Sequence, residues 1–220
     1  MPHFSNDIQP RHNNHLVVKG VKSLILDIGG IILDDSNQAL LQVWQLPSDE
    51  AKWLYELIYH TSAWREEIMT GKLKTEKYMH TLIDEHPKYT REIKLALAAE
   101  HFDQVLPLCE PNLDLVKKLH ETGEYQMYWL SNMNDIEYEV LKQKGILDLL
   151  DGGIYSCDAH YRKPDPAIYR LLFERYDLEP TECVFFDDRT RNLDASEKLG
   201  MPTELVPNLS ALTTILDKYF

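Results

Sequence analysis

Cysteines and basic residues are few in this sequence, long apolar runs are missing, and each scarcity excludes something. Cys109, Cys157 and Cys183 are odd in number, far apart and without a C-x-x-C pair. They exclude a disulfide scaffold and read as reduced thiols of a cytoplasmic protein, filling core rather than attacking substrate. No stretch approaches the roughly 20 apolar residues that span a bilayer. The polar start, Met1 to His15, lacks the hydrophobic run of a signal peptide. Residues 1–20 are expected to form a flexible tail, and its histidines have no metal-ligand spacing. Only 23 Lys and Arg stand against 36 Asp and Glu, a formal net charge of -13. That balance excludes nucleic acid and anionic membrane as partners, since both require basic patches. An anionic small molecule must then be held locally, by a cation, a metal or backbone amides. Internal repeats and low-complexity segments are absent as well.

What is there suits a folded core. Hydrophobic residues make up 44% of 220 and aromatics 10%, enough for one large domain or a core domain with an insertion. Everything is organised around Leu24-Ile25-Leu26-Asp27-Ile28-Gly29-Gly30. A short apolar run of β-formers predicts a buried parallel strand, and Asp27 falls at its carboxyl end, where open α/β sheets place ligands. The glycines let the backbone turn sharply and approach a bound group. An ordinary strand-to-loop turn is the plainer alternative for this stretch alone.

Asp34-Asp35-Ser36-Asn37 then signals a helix start, and the period stays helical to about Leu106. Ala39, Leu40 and Val43 share a face, as do Trp53, Leu57 and the stretch around Ile58. Tyr78, Leu82 and Ile83 belong to a third helix, broken at Pro87. Ile93, Leu97 and Phe102 suggest a fourth, ended by Pro107. This block predicts an inserted helical bundle, with Trp44, Trp53 and Trp64 as bundle core.

After Pro111, strand and helix alternate strictly. Strands are predicted at Tyr125–Leu130, Gly152–Ser156, Cys183–Phe186 and Thr203–Val206. The helices between and after them carry Leu113 to Leu119, Ile136–Lys144, Ala167–Tyr176, Asn192–Leu199 and Leu209–Tyr219. The fold class is therefore α/β, a doubly wound parallel sheet with an inserted helical cap. The core takes residues 21–35 and 107–220, and the cap residues 36–106.

Asp27, Ser131-Asn132 and Asp187-Asp188 each follow an apolar strand directly, so a parallel sheet brings them to one edge. Lys163 joins them from Arg162-Lys163-Pro164-Asp165-Pro166, a loop stiffened by its prolines. Singly, Ser131-Asn132 could cap a helix, Lys163 could be solvated, and Asp187-Asp188 could start a turn. Together they form a set.

In this order the motifs resemble the haloacid dehalogenase superfamily, mostly magnesium-dependent phosphatases. More narrowly, Asp27-Ile28-Gly29-Gly30, Ser131-Asn132, Arg162-Lys163-Pro164 and Phe185-Phe186-Asp187-Asp188 are similar to the branch holding a bacterial α-D-glucose-1-phosphate phosphatase. The resemblance implies a small phosphorylated metabolite as substrate and Asp27 as nucleophile, forming an aspartyl phosphate. It implies Mg²⁺ held by Asp27, the Gly29 carbonyl and Asp188, with Asp187 as an outer or alternative ligand. Ser131, the Asn132 amide and Lys163 would hold the transferring phosphoryl group, with the amides of the glycine turn at Gly30. The charges agree: attack by one anion on another needs neutralisation, and hard oxygen ligands suit Mg²⁺.

One departure matters. Most phosphatases of this group carry a second acid two residues after the nucleophile, where Gly29 stands here. Either the leaving group departs with little help, as from a sugar 1-phosphate, or the protein binds a phosphorylated ligand or another protein. General acid–base help is worth about 10²–10⁴-fold, so its loss slows the reaction without forbidding it. Dehalogenation of a 2-haloacid is a third reading. As a family feature it puts an aromatic residue where Gly29 stands.

Overall fold

The computed structural model describes residues 20–220. The tail expected over residues 1–20 lies outside the described residues up to residue 19. Five strands form one parallel sheet: β1 (Ser23–Leu26), β2 (Gln126–Ser131), β3 (Gly152–Tyr155), β4 (Cys183–Asp187) and β5 (Thr203–Leu205). Their order across the sheet is β3-β2-β1-β4-β5. Leu24 registers with Met127 on one side and with Val184 on the other. From β1 the chain runs outward to β2 and β3, then returns to the other flank at β4. The reversal falls at the carboxyl ends of β1 and β4, where a crevice opens in folds of this kind.

Alternation along the strands fills two cores, as a sheet covered on both faces requires. Leu24, Leu26, Met127, Trp129, Val184 and Phe186 point to one side. There they meet Leu113, Val116 and Leu119 of one helix, Leu141 of a second and Leu212 of a third. Ile25, Tyr128, Leu130, Ile154 and Phe185 point to the other, against Ile168, Tyr169, Leu172 and Leu193.

Helices in chain order are α1 (Gln38–Trp44), α2 (Ser48–Tyr59), α3 (Thr75–Glu85), α4 (Thr90–Leu97) and α5 (Phe102–Val105). They continue with α6 (Glu110–Glu121), α7 (Asp135–Gln143), α8 (Ser156–Ala159), α9 (Pro166–Tyr176), α10 (Thr190–Glu197) and α11 (Leu212–Leu216). Between Ser36 and Leu106 every regular element is helical, and α2 is followed by a π-helical turn over Trp64–Ile68. A separate core of Leu54, Ile58, Ile68 and Ile93 holds these helices together. The block leaves and re-enters the sheet through one short ribbon, with Asp34 N donating to Pro107 O at 2.9 Å and Cys109 N to Ile32 O at 2.7 Å.

Several sequence expectations need correction. The fourth cap helix is two: α4 stops at Ala98, whose backbone is extended, and α5 resumes at Phe102. The break lets Phe102 pack into the core beneath the sheet while Val105 stays with the cap. Trp44 and Trp64 are buried, but Trp53 is 44% exposed. It leans on His86 and Tyr89 instead, because α2 buries Ala51, Leu54 and Ile58 on a different face. The last helix shrinks to a 3₁₀ turn at Leu209–Ala211 and the short α11. Ser156 opens α8 instead of ending β3, and Val206 falls just beyond β5.

Among the described residues, no helix is long and apolar enough to cross a membrane. All three cysteines are free.

Candidate active site

Asp27 follows β1 directly, and its N–H still donates across the ladder to Phe186 O at 2.9 Å. Its Oδ1 accepts from Ile28 N at 2.7 Å, and its Oδ2 lies 2.8 Å from Lys163 Nζ. Ser131, buried at the end of β2, also hydrogen-bonds the Asp27 carboxyl. The chain then folds tightly, with Ile32 N and Leu33 N both donating to Ile28 O at 2.9 and 3.0 Å. Gly30 takes φ +70°, and a Cβ there would stand 2.8 Å from Asp188 Cγ. Glycine is therefore what lets β1 and β4 bring Asp27 and Asp188 together. Above Gly29 the space is tight: a Cβ would meet Asp35 Oδ2 at 3.1 Å.

Lys163 is fully buried, its Nζ 2.7 Å from Asp187 Oδ2 as well as near Asp27. Burial opposes its charge, and the two carboxylates outweigh burial, so its pKa lies above the ordinary value. The Asn132 side chain grips the Lys163 backbone at both ends, donating to Lys163 O at 2.9 Å and accepting from Lys163 N at 2.7 Å. Asn132 thus positions the lysine through its side chain and keeps its own backbone amide separate. Asp187 is saturated with donors: Lys163 Nζ, Arg189 N at 2.8 Å and Asn192 Nδ2 at 3.0 Å to each oxygen. Burial raises the pKa of Asp27 against the pull of Lys163, with Asp187 adding to the rise.

Asp188 is different. Its Oδ1 is buried without a hydrogen-bond partner, and Arg189 Nε stands 3.6 Å away, beyond hydrogen-bonding distance. A buried acceptor left unmade costs about 1–3 kcal/mol unless something else satisfies it. Ligand oxygens of Asp27, Asp187 and Asp188 lie within 4.8 Å of one another. An all-oxygen donor set with one orphaned carboxylate atom fits a hard divalent cation.

The helix-capping alternative for Ser131-Asn132 does not hold. Asn134 caps α7, accepting from Ile136 N at 2.9 Å and Glu137 N at 3.0 Å, and Glu137 closes the capping box.

The carboxyl ends of the strands open into a cleft of about 420 Å³ beneath the cap. Tyr55, Tyr59 and Trp64 line it from above, and Asp27, Ser131 and Lys163 form its floor. Three lining residues of consequence were not singled out from the sequence: Asp35, Glu137 and Arg189. Arg189 Nη2 holds Asp35 Oδ2 at 2.8 Å, and Glu137 is pushed up to about 7, chiefly by burial. A signal existed for two of them. Arg189 follows the double aspartate directly, and Glu137 stands at the fourth place of Asn134-x-x-Glu137. Nothing in the spacing marks Asp35.

The sequence profile of the haloacid dehalogenase-like hydrolases matches residues 21–200. D-ribitol-5-phosphate phosphatase of Bacteroides thetaiotaomicron is 25% identical over 192 residues, covering 83% of this chain and 90% of that one. Bifunctional epoxide hydrolase 2 of Mus musculus is 25% identical over 165 residues, and this chain spans 30% of its length. A HAD family enzyme of Bacteroides thetaiotaomicron, an aspartate-to-alanine mutant in complex with magnesium and inorganic phosphate, shares the fold. Its TM-score is 0.67 at 20% identity, over 84% of this chain and 93% of that one.

Proposed function

Because the chain belongs to the haloacid dehalogenase-like hydrolases, we propose that it is a magnesium-dependent phosphatase of small phosphorylated metabolites. The observation that carries this reading is the strand-tip constellation: Asp27 fixed by Lys163 beside an orphaned Asp188 oxygen. It works in the cytoplasm, a reducing compartment in which Cys109, Cys157 and Cys183 stay free thiols.

Asp27, the Gly29 carbonyl and Asp188 would hold Mg²⁺, with Asp187 held outside by its three donor groups. The bound cation supplies positive charge that offsets repulsion between carboxylate and phosphate. Asp27 attacks phosphorus, a P–O bond to its carboxylate forms, and the P–O bond to the leaving group breaks. The electron pair stays on the leaving oxygen, which takes a proton. Ser131, the Asn132 amide and Lys163 receive the phosphoryl oxygens as charge spreads over them; the Gly30 amide, expected from the sequence to join them, instead donates to Leu33 O at 2.9 Å within the turn. Water then hydrolyses the aspartyl phosphate and restores Asp27.

Gly29 brings no acid to the leaving oxygen, so turnover depends on how readily that oxygen departs. Sugar 1-phosphates, which release a hemiacetal oxygen, are the preferred class. The test compares kcat/KM for glucose 1-phosphate and glucose 6-phosphate with Mg²⁺, and the 1-phosphate should be faster. A preference for the 6-phosphate overturns the leaving-group argument. Chloride release from a 2-chloro acid without Mg²⁺, and no phosphate release, would overturn the phosphatase itself.

A further inference from the structure

The chain has eight arginines, and four of them, Arg65, Arg162, Arg189 and Arg191, line this one cleft. In a protein of net charge -13 this is a concentration, not a background. Arg189 is engaged by Asp35. The other three come from separate elements: Arg65 from the π-helical turn of the cap, Arg162 from the loop before α9, and Arg191 from α10. Arg162 Nε is buried without a hydrogen-bond partner. The Arg191 side chain makes no hydrogen bond or ion pair among the described residues, and the Arg65 side chain reaches only the His60 carbonyl, at 3.3 Å.

The charges that bear on Arg162 are Arg191, Arg65 and Arg189, with Glu66 the one acid among them. Those that bear on Asp27 are Lys163 and Asp187. The cleft therefore contains two cationic centres, one at the nucleophile and one between cap and core. Like charges gathered around a half-buried guanidinium whose Nε is buried without a partner are unfavourable until an anion arrives. Guanidinium forks suit planar or tetrahedral oxyanions.

We infer that Arg162, Arg65 and Arg191 form a second anion subsite, so that the substrate is a phosphate monoester bearing another anionic group, a carboxylate or a second phosphate. This rests on the phosphatase reading above for the chemistry at Asp27.

Matched pairs test it. 3-Phosphoglycerate against glycerol 3-phosphate adds a carboxylate, and fructose 1,6-bisphosphate against fructose 6-phosphate adds a phosphate. With Mg²⁺, the wild type should show at least a tenfold higher kcat/KM for the more anionic member of one pair, mostly through KM. The pair that responds identifies the group. In Arg65→Gln/Arg191→Gln that ratio should fall at least tenfold, and Arg162→Gln should lower it further. A ratio near one in the wild type, or one unchanged in the double variant, overturns the subsite. A separate thermal-shift titration with malonate, a dianion without phosphorus, reads the subsite apart from turnover. Malonate should raise the wild-type Tm and not that of the double variant, and no rise in the wild type overturns the subsite. Stabilisation by malonate without phosphate release from any ester would sink the phosphatase reading and leave the subsite standing.

Discussion

Lys163 carries its charge with no exposure because Asp187 and Asp27 hold its ammonium at 2.7 and 2.8 Å. Removing one partner of such a group leaves the others buried and unpaired, at a cost of about 3–5 kcal/mol. Lys163→Met should lose stability of that order in urea unfolding, together with phosphate release. Asp188 predicts the opposite separation. Its Oδ1 has no hydrogen-bond partner, so Asp188→Ala should leave the unfolding free energy from urea titration within about a few tenths of a kcal/mol of wild type. Magnesium binding by calorimetry should nevertheless vanish, and magnesium-dependent phosphate release with it. Retained magnesium binding would refute the ligand assignment. Asp35 adds a residue-scale lesson about Gly29. A side chain there would press on the Asp35 carboxylate, 3.1 Å from a Cβ, and would require that side chain to shift.

Among the elements, cap and core meet through specific backbone and side-chain contacts. Asp135 of α7 accepts from Thr75 N at 3.0 Å and Thr75 Oγ1 at 2.6 Å, satisfying the start of α3 from across the boundary. Gly71, φ +68°, lies so close to α8 that a Cβ would fall 2.0 Å from Cys157 O. Gly71→Ala should cost about 1–3 kcal/mol from the left-handed backbone alone, with the clash added. Because the contact joins cap to core, KM should rise as well; unchanged Tm and KM would refute this view of the contact. β1, β2 and β4 were legible in sequence because each is an apolar run ended by polar residues, and Asp27, Ser131 and Asp187 were legible because those ends share one edge. The break at Ala98 was not, since its cause is the distant packing of Phe102. The exposure of Trp53 was not either, since Ala51, Leu54 and Ile58 claim the buried face. Local periodicity reports a helix's amphipathic face and says nothing of which partner will cover it.

At the scale of the whole molecule, Glu137 links stability to pH. Burial raises its pKa from 4.5 to about 7, so the folded state holds a proton that the unfolded chain releases earlier. Its contribution is therefore full below about pH 4.5 and is lost as pH rises through about 7. Glu137→Gln keeps an acceptor for the capping box and removes the titration. Its Tm relative to wild type should be higher at pH 8 than at pH 5. Asp27, also raised, is present in both proteins and cancels from the comparison. An equal difference at both pH values would show that Glu137 titrates normally.

The short ribbon of residues 32–34 and 107–109 has one more consequence. Its hydrogen bonds pin the two ends of the inserted block together, so to the sheet that block is a loop already closed. The entropy of closing a loop grows only logarithmically with its length, about 0.6 kcal/mol for each doubling. Residues can therefore be gained or lost within the block at little cost to the sheet beneath it. The walls around a ligand are free to change in size and chemistry while the reacting floor keeps its geometry.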